Sequence, residues 1–133
     1  MVLAILISTA AWFITAAILF FNPIVGKIYQ SQETDPAVKS LPKVPATMGK
    51  ILLAILVQCI LWALVYSWVE AAMPDDLWSK VLIFGSVITF MKMIPRDIDR
   101  LLLTTYPLKR MTIEFIIGVV CSYVVAFVFA WYI

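Results

Sequence analysis

The sequence predicts an all-α integral membrane protein: a four-helix bundle of two helical hairpins, with both termini on the non-cytoplasmic side. Three observations predict it. Apolar residues make up 64% of the 133-residue chain and charged residues only 14%, against typical values near 45–50% and 25%. A soluble domain this small has too much surface for its volume to hide that apolar excess from water, so lipid is the solvent that fits. Uncharged stretches recur at bilayer-spanning length, and basic residues collect in alternate loops.

The first helix is expected over residues 2–25, because Met1 to Gly26 carries no charge and Asn22-Pro23 marks a natural end. Lys27 to Gly49 is polar and contains Pro36, Pro42 and Pro45, which read as an extended loop. A second helix is expected over 50–72. Glu70, Asp75 and Asp76 then form an acidic turn around Pro74. The third helix, over 78–94, is the weakest. Val81 to Met91 is short and spans only if Lys80 and Lys92 snorkel toward opposite interfaces. Pro95 closes it in this reading. Ile94, Ile98, Leu101 and Leu102 then recur at helical spacing, which suits a short interfacial helix over 96–105. The fourth helix is expected over 111–133. The whole chain, 1–133, reads as a single transmembrane domain.

Orientation follows from the basic residues. Lys27, Lys39, Lys43 and Lys50 flank or occupy the first loop, and Lys92, Arg96, Arg100, Lys109 and Arg110 the third. The second loop has only Lys80. Nine against one puts loops 27–49 and 95–110 in the cytoplasm, in a bacterial inner membrane. Trp68, Trp78, Trp131 and Tyr132 fall at the expected outer interface, Tyr29 and Tyr106 near the inner one. Pro45 to Cys59 and Pro107 to Cys121 share one spacing, a faint internal repeat that chance in an apolar sequence explains equally well. The N-terminus lacks the basic n-region of a signal peptide.

Chemistry is sparse. The chain has no histidine, no CxxC, no HExxH, no P-loop and no GxGxxG. This argues against an enzyme and leaves no cofactor to expect. A net charge of +2 without a basic, aromatic-interleaved stripe argues against nucleic-acid binding. Cys59 and Cys121 lie within apolar stretches, where small apolar packing is their ordinary role.

Glu114 is the candidate functional acid, since a carboxylate within a span is costly to bury. The more common outcome is a structural pair with Arg110, one turn earlier. Gly118, Ser122, Ala126 and Ala130 continue from Glu114 at four-residue spacing. Small residues so spaced form a helix-packing interface, more often within a bundle than between molecules. Ala4, Ser8, Ala11 and Thr15 offer a counterpart on the first helix. Gln58 is the amide deep within a span and suits an interhelical polar contact. Trp12 and Trp62 sit away from the interfacial belts and read as packing residues, though they could flank a flat apolar ligand.

Asn22-Pro23-Ile24-Val25-Gly26-Lys27-Ile28-Tyr29 after an aromatic-rich helix, Gly85 ahead of Pro95, and Pro107-Leu108-Lys109 before the fourth helix carry a resemblance. With these motifs the chain resembles the DUF1761 family of small four-helix bacterial membrane proteins, over nearly its whole length. The resemblance implies a fold and a membrane location and supplies no activity.

The leading expectation is a non-enzymatic accessory or interaction subunit, packed in a larger membrane assembly or self-associated, in contact with the lipid bilayer. The alternative is a small-solute or proton-coupled transporter formed as an oligomer, for which Glu114 is the one candidate group.

Overall fold

A computed structural model describes residues 1–32, 34–38 and 45–133. Pro42, Lys39 and Lys43 of the first loop lie outside them. Every element among the described residues is helical: α1 Val2–Phe20, α2 Pro23–Ser31, α3 Pro45–Val69, α4 Leu77–Ile88, α5 Ile94–Leu103 and α6 Leu108–Tyr132. A 3₁₀ turn, Glu70–Ala72, extends α3, and a π turn, Thr89–Met93, joins α4 to α5. Four helices are therefore long and apolar enough to cross a membrane: Val2–Phe20, Pro45–Ala72, Leu77–Leu103 and Leu108–Tyr132. The chain is a multi-pass membrane protein by that criterion.

Several boundaries differ from the sequence expectation: α3 begins at Pro45, within the stretch expected as loop, and α6 at Leu108, and a proline explains each of two further differences. The first span stops at Phe20, not at residue 25. Asn22 precedes Pro23, which disfavours helical backbone. Asn22 accordingly turns extended (φ −62°, ψ 133°) and caps a new helix, its side chain accepting from the Ile24 amide at 2.9 Å. Pro23 takes the first helical position, where its missing N–H costs nothing. Part of the stretch expected as loop is thus α2.

Pro95 does the opposite of what the sequence suggests. It does not close the third helix; the helix passes through it. Proline removes one amide donor and crowds the carbonyl four residues back. The turn just before it is widened, with the Ile94 amide reaching back to the Thr89 carbonyl, and a π turn of this kind accommodates such a defect. The interfacial helix expected over 96–105 is α5, continuous with α4. Leu77–Leu103 runs 27 residues, roughly 40 Å at 1.5 Å per residue, so it outreaches a hydrocarbon core of about 30 Å.

The core follows from side-chain spacing. Ile55, Cys59, Ala63 and Tyr66 form the buried stripe of α3, and Val81, Phe84, Gly85 and Ile88 that of α4. The steps of three and four residues place each set on one helix face. α6 buries a wider face, including Ile117, Cys121, Ser122, Val125, Ala126 and Phe129, because it packs along both α4 and α1. α3 packs mainly on α1. Small Ala4 and Ser8 are fully buried on α1, and small side chains allow close helix approach in lipid. Tyr66, Phe84 and Phe129 lock α3, α4 and α6 together, with ring centroids 4.9–6.2 Å apart. Trp62 meets the edge of Phe84 at 6.3 Å.

Pro45 is the first residue of α3, and Pro107 is the N-cap residue immediately before α6. Cys59 and Cys121 are both buried and reduced.

Candidate functional site

The polar groups divide into three levels. At one end, Lys80 pairs with Glu70 at 3.3 Å, and Asp76 caps α4 by accepting from the Ser79 amide at 2.9 Å. The Ser79 amide and hydroxyl hold the Asp76 carboxyl below the ordinary carboxylate range. Trp68, Trp78 and Trp131 are exposed near this end.

At the opposite end, Glu114 is the centre of a cluster drawn from α2, α5, the 104–107 connector and α6. Its Oε2 accepts from the Arg100 guanidinium at 2.6 Å. Its Oε1 accepts from the Tyr29 hydroxyl at 3.1 Å and from the Tyr106 hydroxyl. The sequence suggested Arg110 as the partner. Arg110 instead stacks its guanidinium over the Tyr29 ring, 3.9 Å from the centroid. Arg100 stacks likewise over Tyr106 at 4.5 Å, and Phe20 meets Tyr29 edge-on at 5.6 Å. Burial, then the neighbouring carboxylate charge and its hydrogen bond, push the Tyr29 hydroxyl far above the ordinary phenol range. Burial and the Glu114 hydrogen bond bring Tyr106 up to about 12. Both tyrosines are therefore donors at neutral pH.

The small-residue stripe of α6 is spent inside the bundle. A Cβ on Gly118 would overlap the Met93 thioether, coming within 2.7 Å of its Sδ. Ser122 is buried and donates to the Gly118 carbonyl at 2.7 Å. Ala126 is fully buried, and Ala130 packs against the core cluster. A second close approach lies at Gly85, where a Cβ would come within 2.5 Å of the Tyr123 ring at Cε1. The Tyr123 hydroxyl meets the Ser86 hydroxyl at 2.9 Å. Glycine followed by serine on α4 and one tyrosine on α6 carry this contact. Spacing alone did not single out Tyr123.

The third level is the middle of the bundle. Gln58 donates to the Ala54 carbonyl of its own helix at 3.3 Å, so the interhelical contact expected of it is not among its bonds here. It borders a groove of about 400 Å³ with Leu61, Trp62, Val65, Met91 and Lys92. Lys92 does not snorkel to an interface; its ammonium lies 3.8 Å from the centroid of the Trp12 ring. Trp12, Lys92, Arg96, Arg100 and Glu114 line a second cleft of about 310 Å³ between α1, α5 and α6, which shares Lys92 with the groove. The sequence carried one signal for this: Trp12, placed inside a span away from the interfacial belts; Lys92 was expected at an interface.

Among the described residues, no group of three or more cysteine, aspartate or glutamate side chains gathers as a metal site would require. Compared with protein families, with curated proteins and with solved structures, the chain matches none.

Proposed function

We propose that this chain is a non-enzymatic accessory subunit of the membrane, whose groove between α3 and the Thr89–Met93 π turn receives a transmembrane helix of another chain. The observation that carries the reading is Gln58. At mid-span its amide opens onto that groove, and its one hydrogen bond returns to its own backbone. An amide with spare donor and acceptor capacity in hydrocarbon is unfavourable, and an interhelical partner relieves it by about 1 kcal/mol. The neighbouring surface suits the same role, because Leu53, Val57, Leu61 and Leu64 of α3 are large and exposed. The occupant is a helix with a polar side chain at mid-depth, opposite Gln58. A second copy supplies one through its own Gln58.

The same reading includes a cytoplasmic-membrane location in a bacterium, with the Glu114 cluster and both longer loops inside and the termini outside. The basic residue count supports it, as do the exposed tryptophans at the opposite end. Packing of α1 on α3 and of α4 on α6 supports a pair of hairpins. The resemblance to the DUF1761 family rests on the short motifs alone.

The transporter alternative is weaker. Coupled transport needs a titratable group reached from both sides. Glu114 is held by three donors at one end.

A photo-crosslinker at Leu61, activated in native membranes, tests the reading. A discrete adduct, either a dimer of this chain or one membrane protein in fixed ratio, is expected, and Gln58→Leu reduces its yield. Adducts with lipid only, unaltered in Gln58→Leu, would overturn it.

A further inference from the structure

Lys92, Arg96 and Arg100 follow one another at four-residue spacing and face one cleft, lined opposite by Trp12, Ala16 and Phe20 of α1 and by Ile117, Gly118 and Cys121 of α6. Their charges are unequally answered. Arg100 is neutralised by Glu114 at 2.6 Å. Arg96 offers its Nε to Asp97 at 3.1 Å, while its Nη2 is buried without a hydrogen-bond partner. Lys92 has the Trp12 ring and no carboxylate within ion-pair distance among the described residues.

A guanidinium nitrogen buried with no acceptor is costly, and so is an ammonium set roughly 16 Å inside the Leu103 end of its helix. Lys92 in the π turn and Arg96 in α5 line the same cleft. One oxyanion between them can accept from both. The wall that faces it across the cleft is apolar and aromatic.

We propose that this cleft is a binding site for a phosphate-type oxyanion carried on an apolar tail: the headgroup of an anionic lipid, drawn below its usual depth and held by Arg96 and Lys92. Glu114 keeps Arg100 out of the site and sets its lower edge. The tail follows Trp12 and Ile117. Lys92 also borders the groove beside Gln58, whereas Arg96 and the apolar wall line this cleft and not that groove, so loss of lipid in Arg96→Gln is distinguishable from loss of the groove's occupant in Gln58→Leu. A free phosphate ion would engage the same two cations without using the apolar wall.

The test is native mass spectrometry of the detergent-purified protein after exchange into nanodiscs of phosphatidylglycerol mixed with phosphatidylcholine. Retention of phosphatidylglycerol is expected at one per chain, with the neutral lipid lost. Arg96→Gln and Lys92→Met each lower that retention about tenfold, as loss of one charge-assisted bond implies. Lys109→Gln leaves it unchanged. Lys92→Arg, which keeps charge and bulk, retains the lipid and shows that the fold tolerates the position. Protection of wild type but not Arg96→Gln by inorganic phosphate without lipid would support the oxyanion site and identify a soluble source. Equal lipid retention in wild type, Arg96→Gln and Lys92→Met, with no phosphate effect, would overturn the proposal.

Discussion

Gly118 on α6 leaves the space that the Met93 side chain fills: a Cβ there would overlap the thioether. Met93 belongs to the π turn that Pro95 accompanies, so a widened turn on one helix and a glycine on another fit each other. Gly118→Leu is expected to destabilise the folded monomer by about 2 kcal/mol, the scale of overpacking in a tight core. Met93→Ala in the same chain recovers much of it. Detergent unfolding curves measure both. A change in oligomer size with no loss of stability would move Gly118 to an intermolecular surface.

Gly85 and Tyr123 make the corresponding contact between α4 and α6, and the ring is tethered through Ser86. Gly85→Ala should cost about 1–3 kcal/mol, because a tethered ring cannot swing aside. Tyr123→Phe releases the tether and costs about 0.6 kcal/mol, the usual worth of an interhelical hydrogen bond in lipid. The two changes are not additive: the double variant is milder than the sum, since a free ring can yield. Strict additivity in a double-mutant cycle would contradict this contact.

Glu114 organises its end of the bundle electrostatically. Glu114→Gln removes the Arg100 ion pair and weakens two phenol bonds, a loss of about 2 kcal/mol for charge-assisted hydrogen bonds. It also moves titrations. Burial and the Glu114 contact raise Tyr106 to about 12, above its unfolded value near 10. Its contribution to stability is therefore complete below pH 10 and is lost as pH rises through about 12. Absorbance titration of phenolate in Glu114→Gln should show the Tyr29 and Tyr106 transitions displaced downward. An unchanged alkaline titration would contradict the hydrogen-bonded cluster.

The fold was more legible than the site, for physical reasons. Three apolar runs announce spans whatever their packing; the third, short between its lysines, reaches spanning length because its helix continues through Pro95. The Asn22-Pro23 break was also legible in kind, since asparagine before proline is a cap followed by a first helical residue, yet the uncharged run up to Gly26 concealed it. Pro95 was misread because proline within a helix is usually a terminus, and only tertiary packing stabilises the π turn that lets the helix continue. Glu114 stood out as a carboxylate beside a span. Its partners did not, because Tyr29 is 85 residues away in sequence and Arg110 was the nearer cation. Lys92 resisted reading for a similar reason: its partner Trp12 is on another helix, and snorkelling is the ordinary behaviour of a lysine near a span end.

The central claim is that the bundle is incomplete on the side of α3 and the π turn and is completed by another transmembrane helix. The most direct measurement is the mass of the complex that leaves native membranes in mild detergent, by native mass spectrometry, for wild type and Gln58→Leu side by side. The account predicts a wild-type complex of fixed composition, with a second copy or one companion membrane protein, that dissociates more readily in Gln58→Leu. A monomer with lipid alone in both preparations would contradict it.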